Sequence, residues 1–255
     1  MASQYCLGKI PSPVVRDTMG NGSTTVRRFR GRTSLPARGA KTQFGSNFRA
    51  LTFDRDFYAT CDRWGNNASH LFNLGPEKIT VKDWVDVGTK ACHRYSWAHN
   101  RARGFDLCAV IFTNGSSIDC NFSPTGSLKD QRLYLALWAS LRRFFGTVLT
   151  ADYNSAHRDH IHFDNRLPVS TISKSRQSDT VLIQRSCRLL LDKNIAVDGD
   201  WGGQTSAAYA ELLSGLNMQC RDPLGVHRDM LDLLYFIIRT SVANTTAGKY
   251  QSVEC

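Results

Sequence analysis

Residues 145–164 read Phe145-Gly-Thr-Val-Leu-Thr-Ala-Asp-Tyr-Asn-Ser-Ala-His157-Arg-Asp159-His160-Ile-His162-Phe-Asp164. His160 and His162 are two positions apart, so an extended segment puts both side chains on one face. His157 is an odd number of residues from His160 and belongs at a bend before the strand. Thr147–Leu149 leads into this histidine-rich strand, His157–Asp164. Upstream, Lys129–Phe145 is the clearest helix: Leu133, Leu137, Leu141 and Phe144 recur at helical spacing, with Trp138 and Phe145 alongside. Asp106–Thr113 reads as a buried strand, Asn114-Gly115 as a tight turn, and Ser117–Phe122 as the returning strand of a hairpin. Residues 77–91 begin strand-like and turn helical from Thr80, with Asp83 at the capping-box spacing and Val81, Trp84, Val85 and Gly88 on one face. Downstream, Pro168–Gln177 is Ser/Thr-rich and polar and reads as a linker. Helices are expected over about Asp179–Leu191, Gln204–Leu213 and Asp229–Ser241. These elements define an α+β fold: a small antiparallel sheet with flanking helices, followed by a C-terminal three-helix domain.

A second histidine motif, His99-Asn-Arg-Ala-Arg-Gly-Phe-Asp106, ends where the Asp106 strand opens. His-x6-Asp alone arises often by chance, and His-x-His on a strand also serves surface or structural roles. Together, on segments that read as strands, they favour a metal. Two imidazoles and one carboxylate with a fourth position left open are the donor set of a catalytic zinc. The open position is where such a metal activates water. His70 and His227 lie outside both motifs, and His93 matches no ligand position.

The composition is ordinary for a globular chain, 42% hydrophobic and 21% charged, which excludes a disordered or collagen-like protein. The apolar stretch Leu231–Ile238 is interrupted by Asp232 and is too short to span a membrane. The net charge of +10 calls for an anionic partner. It is unevenly placed: residues 1–50 carry nine Lys or Arg against Asp17 alone. They are rich in Gly, Ser, Thr, Arg and Pro and read as a mostly extended arm with a short strand near Thr24–Phe29. Charge concentrated in one arm suits attraction to an acidic wall polymer or export better than base reading, so no nucleic-acid partner is expected. The eight cysteines (Cys6, Cys61, Cys92, Cys108, Cys120, Cys187, Cys220 and Cys255) include no CxxC pair, which argues against a cysteine zinc ribbon. Their even count and wide spacing suit disulfides in an oxidising compartment. The other reading is eight separate thiols. The N-terminus lacks a charged region followed by an apolar run, so it is not a secretory signal.

The run Phe145–Asp164 strongly resembles the end of the bacterial extensin-like C-terminal domain family. That family looks related to the D-alanyl-D-alanine carboxypeptidase, lysostaphin and hedgehog group of zinc peptidases. The resemblance covers about residues 50–168 and is most specific in the final twenty. It implies one zinc ion held by His99, Asp106 and His162. It places His160 beside the metal water, Asp159 where the carboxypeptidase branch carries a catalytic Glu, and His157 where a further active-site histidine steadies the oxyanion. His160 is favoured as general base, because Asp159 should point to the opposite face of the strand. Departures are Trp97 where the family has a Ser, with Ser96 one further back, and Ala102 and Gly104 where it tends to have Gly then Ala. Arg94 and Arg101 are candidates for a substrate carboxylate.

The stretch from Val181-Leu-Ile-Gln184 through Ile195-Ala-Val-Asp198-Gly-Asp200-Trp201-Gly-Gly-Gln-Thr205 to Tyr209 resembles the three-helix peptidoglycan-binding domain of wall hydrolases. Asp198-Gly-Asp200 lacks the acidic ladder and terminal Glu of an EF-hand. The loop around Asp198–Gly203, with Trp201, is the candidate glycan surface; the other reading is a helical cap that binds nothing. The expected organisation is an arm over 1–50, an extensin-like zinc peptidase domain over 51–168, a linker over 169–178 and a peptidoglycan-binding-like domain over 179–245. The resemblances imply a zinc metallopeptidase, D,D- or L,D-specific, that cuts peptide stems or cross-links of peptidoglycan. An extracytoplasmic workplace without a recognisable signal peptide implies a delivered antibacterial toxin or a lysis enzyme, with export machinery or an immunity protein as further partners. The alternative is a catalytically inactive wall-binding protein with a structural zinc.

Overall fold

The computed structural model describes strands 14–17, 28–32 and 44–48 together with residues 51–88 and 96–244. The strands are β1 (Val14–Asp17), β2 (Arg28–Arg32), β3 (Phe44–Phe48), β4 (Leu51–Asp54), β5 (Val81–Gly88), β6 (Gly104–Phe112), β7 (Ser117–Asp119), β8 (Thr147–Leu149) and β9 (Ile161–Asp164). The helices are α1 (Arg55–Asn73), α2 (Trp97–Asn100), α3 (Leu128–Arg142), α4 (Gln177–Leu191), α5 (Gly203–Gly215) and α6 (His227–Val242). The fold is α+β, as expected. Its main sheet runs β3-β2-β5-β6-β9-β8, with β7 on β6, and is antiparallel except for the β2–β5 pair. The segment read as an arm supplies two strands of this sheet, and β1 pairs with β4.

Strand alternation separates core from chemistry. Phe105, Leu107, Ile161 and Phe163 are fully buried on the helix-packed face. Phe163 lies 4.6 Å from Phe145, 5.3 Å from Phe105 and 5.6 Å from Trp64 between ring centroids. Burying a phenylalanine contributes about 2–3 kcal/mol. The alternate residues, Asp106, His162 and Asp164, are left for the opposite face.

The expected helix from Thr80 is not there: Val81–Gly88 is β5, between β2 and β6. The Thr80 carbonyl accepts from the Thr113 N–H (2.9 Å), and Asp83 is buried in the sheet rather than closing a capping box. Pairing of the strand with β2 on one side and β6 on the other, together with the β-branched Val81, Val85 and Val87, outweighs a weak local cap signal. A further helix, α1, was not anticipated. Asp54 caps it by accepting from the Phe57 N–H (3.2 Å), and Phe57, Cys61, Trp64, Ala68, Leu71 and Phe72 form its buried stripe.

Helix α3 is buried on nearly all sides and forms the central post. Its capping box pairs Ser127 with Asp130. Helices α4, α5 and α6 match the expected spans closely, and their apolar residues continue the same buried cluster as the strands and α3. Of the expected linker over 169–178, Gln177 and Ser178 already belong to α4 and the rest has no regular structure, yet the Ser170 and Thr171 carbonyls and the Ser173 N–H bind the Arg142–Asp179 pair. Among the described residues, Cys61, Cys108, Cys120 and Cys187 are buried thiols, so the disulfide expectation is not met at these four, whereas Cys220 is disulfide-bonded. Burial pushes the Cys187 thiol up to about 12, which keeps it inert. Cys6, Cys92 and Cys255 lie outside the described residues. No described helix is long and apolar enough to cross a membrane.

Candidate metal centre

Antiparallel pairing brings the first two functional side chains together. Asp106 on β6 stands directly opposite His162 on β9, so both project from the same face. The third, His99, comes from the short helix α2. Ser96 caps that helix by accepting from the His99 N–H (3.2 Å), so a serine is used here although it sits one position earlier than in the resembled family. The loop from α2 to β6 is anchored twice: the Asp54 N–H donates to the Ala102 carbonyl (2.9 Å), and Arg103 Nη2 lies 3.3 Å from Asp54 Oδ1. Ala102 takes φ 54°, a left-handed conformation that glycine adopts without strain.

His162 Nδ1 lies 2.8 Å from Asp106 Oδ1 and 3.2 Å from His99 Nε2, and His99 Nε2 lies 3.2 Å from the same Asp106 oxygen. The three ligand atoms thus fall within 4.8 Å of one another, a group able to hold a metal ion. Two ring nitrogens facing one another across a carboxylate oxygen are the arrangement that a shared cation resolves. The donor set, two imidazoles and one carboxylate, fits zinc. Without a metal, burial disfavours the charged form of His162, but hydrogen bonds to Asp106 and Asp164 and their charges outweigh it and hold the imidazolium up to about 9. Burial likewise opposes ionisation of Asp106, and the hydrogen bonds from His162 and His99 reverse that, holding its carboxyl well below the usual range.

The outer nitrogen of His162 is also committed: Nε2 lies 3.0 Å from Asp164 Oδ2. Asp164 was not singled out in the sequence, although its spacing in His162-x-Asp164 put it on the same strand face. A carboxylate on the far nitrogen fixes the tautomer and aims Nδ1 at the metal position. Asp164→Asn is expected to weaken zinc binding by about 10- to 100-fold, measured by chelator competition, with little change in circular dichroism. Unaltered zinc affinity would show that Asp164 does not orient the ligand.

Gly104 serves a close approach. A Cβ there would lie 2.9 Å from Ala98 Cβ, 3.0 Å from His162 Cε1 and 3.4 Å from His99 Cε1. Gly104→Ala must therefore push at least one imidazole aside. Roughly tenfold weaker zinc binding is expected, with the thermal midpoint lowered by only a few degrees. Wild-type zinc affinity in this variant would show that the neighbours give way freely.

His160 stands at the edge of the group. Its Nε2 is 3.8 Å from Asp106 Oδ1, and its Nδ1 is 3.1 Å from Asp159 Oδ1. Asp159 is buried and points behind His160, so the two form an Asp–His pair and Asp159 does not enter the ligand group. His157 ends a single 3-10 turn (Ser155–His157), with its ring 5.2 Å from His160 and 5.9 Å from His162. Asn154 Oδ1 accepts from the Ala156 N–H (3.0 Å), which marks that atom as the oxygen. His157 Nδ1, 2.7 Å from it, therefore carries the proton. Burial, reinforced by His160 and His162, lowers His157 to about 4. At neutral pH its Nε2 is accordingly a bare acceptor.

Of the remaining candidates, Arg101 folds back on its own helix, 5.0 Å from the Trp97 ring, with Nη1 donating to the Trp97 carbonyl (3.3 Å). Arg94 lies outside the described residues. Trp201 Nε1 donates to Ser206 Oγ (3.0 Å), its ring meets Tyr209 edge-on, and Lys174 Nζ lies 5.6 Å from the ring centroid. Gln184 organises its loop. Its Oε1 accepts from the N–H groups of Asp198 and Gly199, and its Nε2 donates to Asp198 Oδ1, the Asp200 carbonyl and Thr205 Oγ1. Gly199 takes φ 82°, where a side chain would be strained.

Residues 86–173 match the family model described as extensin-like protein C-terminus. The matched stretch contains the whole group from His99 to Asp164, so the resemblance read from Phe145–Asp164 holds for this part of the chain. No curated protein and no solved structure matches the chain.

Proposed function

We propose that the protein is a zinc-dependent peptidoglycan hydrolase that cleaves peptide stems or cross-links of the bacterial wall. The convergence of His99, Asp106 and His162 within 4.8 Å carries this reading, because they lie inside the segment that matches the extensin-like domain. These three residues hold the metal. Bound there, zinc would supply a Lewis acid for a carbonyl oxygen and lower the pKa of a coordinated water towards neutrality. The carboxylate of Asp159 keeps the His160 proton on Nδ1, which leaves Nε2 as the base facing Asp106 and the reacting water. His160 then passes the proton to the leaving amine. His157, neutral with a bare Nε2, accepts from a substrate N–H; in this form it does not donate to an oxyanion.

The loop ordered by Gln184 presents Trp201 as a surface for glycan. The workplace is extracytoplasmic, and the protein acts as a delivered antibacterial toxin or a lysis enzyme, with export machinery or an immunity protein as partners. A second reading is a wall-binding protein with a structural zinc closed by His160, whose Nε2 lies 3.8 Å from Asp106 Oδ1. Digestion of purified peptidoglycan by zinc-loaded and chelated protein, with mass analysis of the fragments, separates the two. New muropeptides in the zinc-loaded sample alone support the hydrolase and identify the bond. Unchanged muropeptides, with zinc present and His160 required for its retention, support the structural site.

A further inference from the structure

We propose that the cleft between β8 and the start of α4 binds an extended peptide with a free C-terminal carboxylate, and that Arg166 receives this carboxylate. The cleft has a volume of about 620 Å³ and is lined by Thr147, Leu149, Tyr153, Asp164, Arg166 and Arg176, among others. Two of its lining residues touch the metal centre's histidines from behind. Asp164 lines it and also holds His162 Nε2 at 3.0 Å. Tyr153 lines it and meets the His157 ring edge-on, 6.0 Å between centroids.

Its shape and charge select the ligand. β8 is the last strand of the sheet order and pairs with β9, so its outer edge is open to an added strand among the described residues. An extended peptide adds to such an edge through main-chain hydrogen bonds. The cleft is also cationic. Arg176 is partly spent on Asp179 (3.3 Å), whereas Arg166 is exposed and makes no ion pair among the described residues. The one carboxylate in the lining, Asp164, is occupied by His162 and by the Arg166 N–H (2.8 Å). A peptide ending in a carboxylate satisfies both the strand edge and the arginine. Its identity as a wall stem rests on the hydrolase reading; the cleft itself does not.

The test is fluorescence anisotropy with the full chain and a labelled stem pentapeptide ending in D-alanyl-D-alanine, whose integrity is checked by mass after each titration. The same peptide amidated at its C-terminus is the control. Arg166→Ala and amidation are each expected to weaken binding roughly tenfold, and together to cost no more than either alone. Arg166→Lys should restore part of the loss. Binding with this pattern, but no digestion of peptidoglycan, would uphold the cleft and remove the hydrolase reading. Digestion with binding and KM unchanged in Arg166→Ala would do the reverse. No binding to the wild type, or full displacement by an equal concentration of inorganic phosphate, would also overturn the proposal.

Discussion

His162→Ala is expected to abolish both zinc retention and peptidoglycan digestion. The residue is one of three side chains placed to hold a metal ion, and its loss would leave only His99 and Asp106, fewer than a catalytic zinc site uses. Intact-protein mass analysis should find one zinc per wild-type chain and less than about a tenth of that in the variant. Muropeptide release should fall to background. The loss reaches further than one ligand, because Asp106 and Asp164 each lose their His162 partner. The metal-free proteins make this visible. In the folded chain His162 is held up to about 9, above its unfolded value of 6.5. A raised pKa contributes stability that is fully present below pH 6.5 and is lost as pH rises through about 9. The stability difference between metal-free wild type and His162→Ala should therefore be largest below pH 6.5 and shrink toward pH 9. Zinc must displace the same proton, so wild-type zinc affinity should rise with pH over that window. A variant that keeps one zinc and digests peptidoglycan would remove His162 from the site.

The site was legible where local periodicity decides geometry. Alternation placed His162 on a strand, but the strand expected over His157–Asp164 begins only at Ile161, so His160 stands before it and outside the ligand group. The registry that sets Asp106 opposite His162 is a property of two strands 56 residues apart, and no local pattern encodes it. Asp164 could have been found by the same alternation that grouped the histidines, because its partner is two residues away. The roles of Asp159 and Asn154 depend on the turn before β9, where spacing no longer predicts direction. β5 was misread because Thr80 and Asp83 mimic a helix cap, while the strand is stabilised by β2 and β6, both distant in sequence or partner choice. The stripe in α1 was present in the sequence, with Phe57, Cys61, Trp64 and Ala68 at helical spacing. The C-terminal helices read well because each carries its own buried stripe; that their core continues into α3 does not follow from that stripe.

Asp179→Ala is expected to destabilise the fold by about 3–5 kcal/mol, more than any surface change nearby. Asp179 is fully buried and accepts from Arg142 Nε (2.7 Å), Arg142 Nη2 (3.2 Å), the Ser173 N–H (3.0 Å) and Arg176 Nη1 (3.3 Å). Its removal leaves the Arg142 guanidinium, itself only 2% exposed, with just the Ser170 and Thr171 carbonyls as partners. An unpaired buried cation costs far more than the pair contributes, so the double variant Arg142→Met/Asp179→Leu should be closer to wild type than Asp179→Ala alone. The pair joins the last turn of α3 to the first turn of α4, beside the 168–176 segment. Urea unfolding should show a lower midpoint with an unchanged slope if α4–α6 and the sheet unfold together. Hydrogen exchange should then accelerate in α3 and β9 as well as in α4–α6. Acceleration confined to α4–α6 would mean that the helical unit opens alone. A loss below about 1 kcal/mol would mean that water reaches Arg142 and replaces the carboxylate. The first outcome carries a functional consequence. A shared core fixes the Trp201 loop relative to the metal centre, so glycan held there would present its peptide stem at a constant distance from His162.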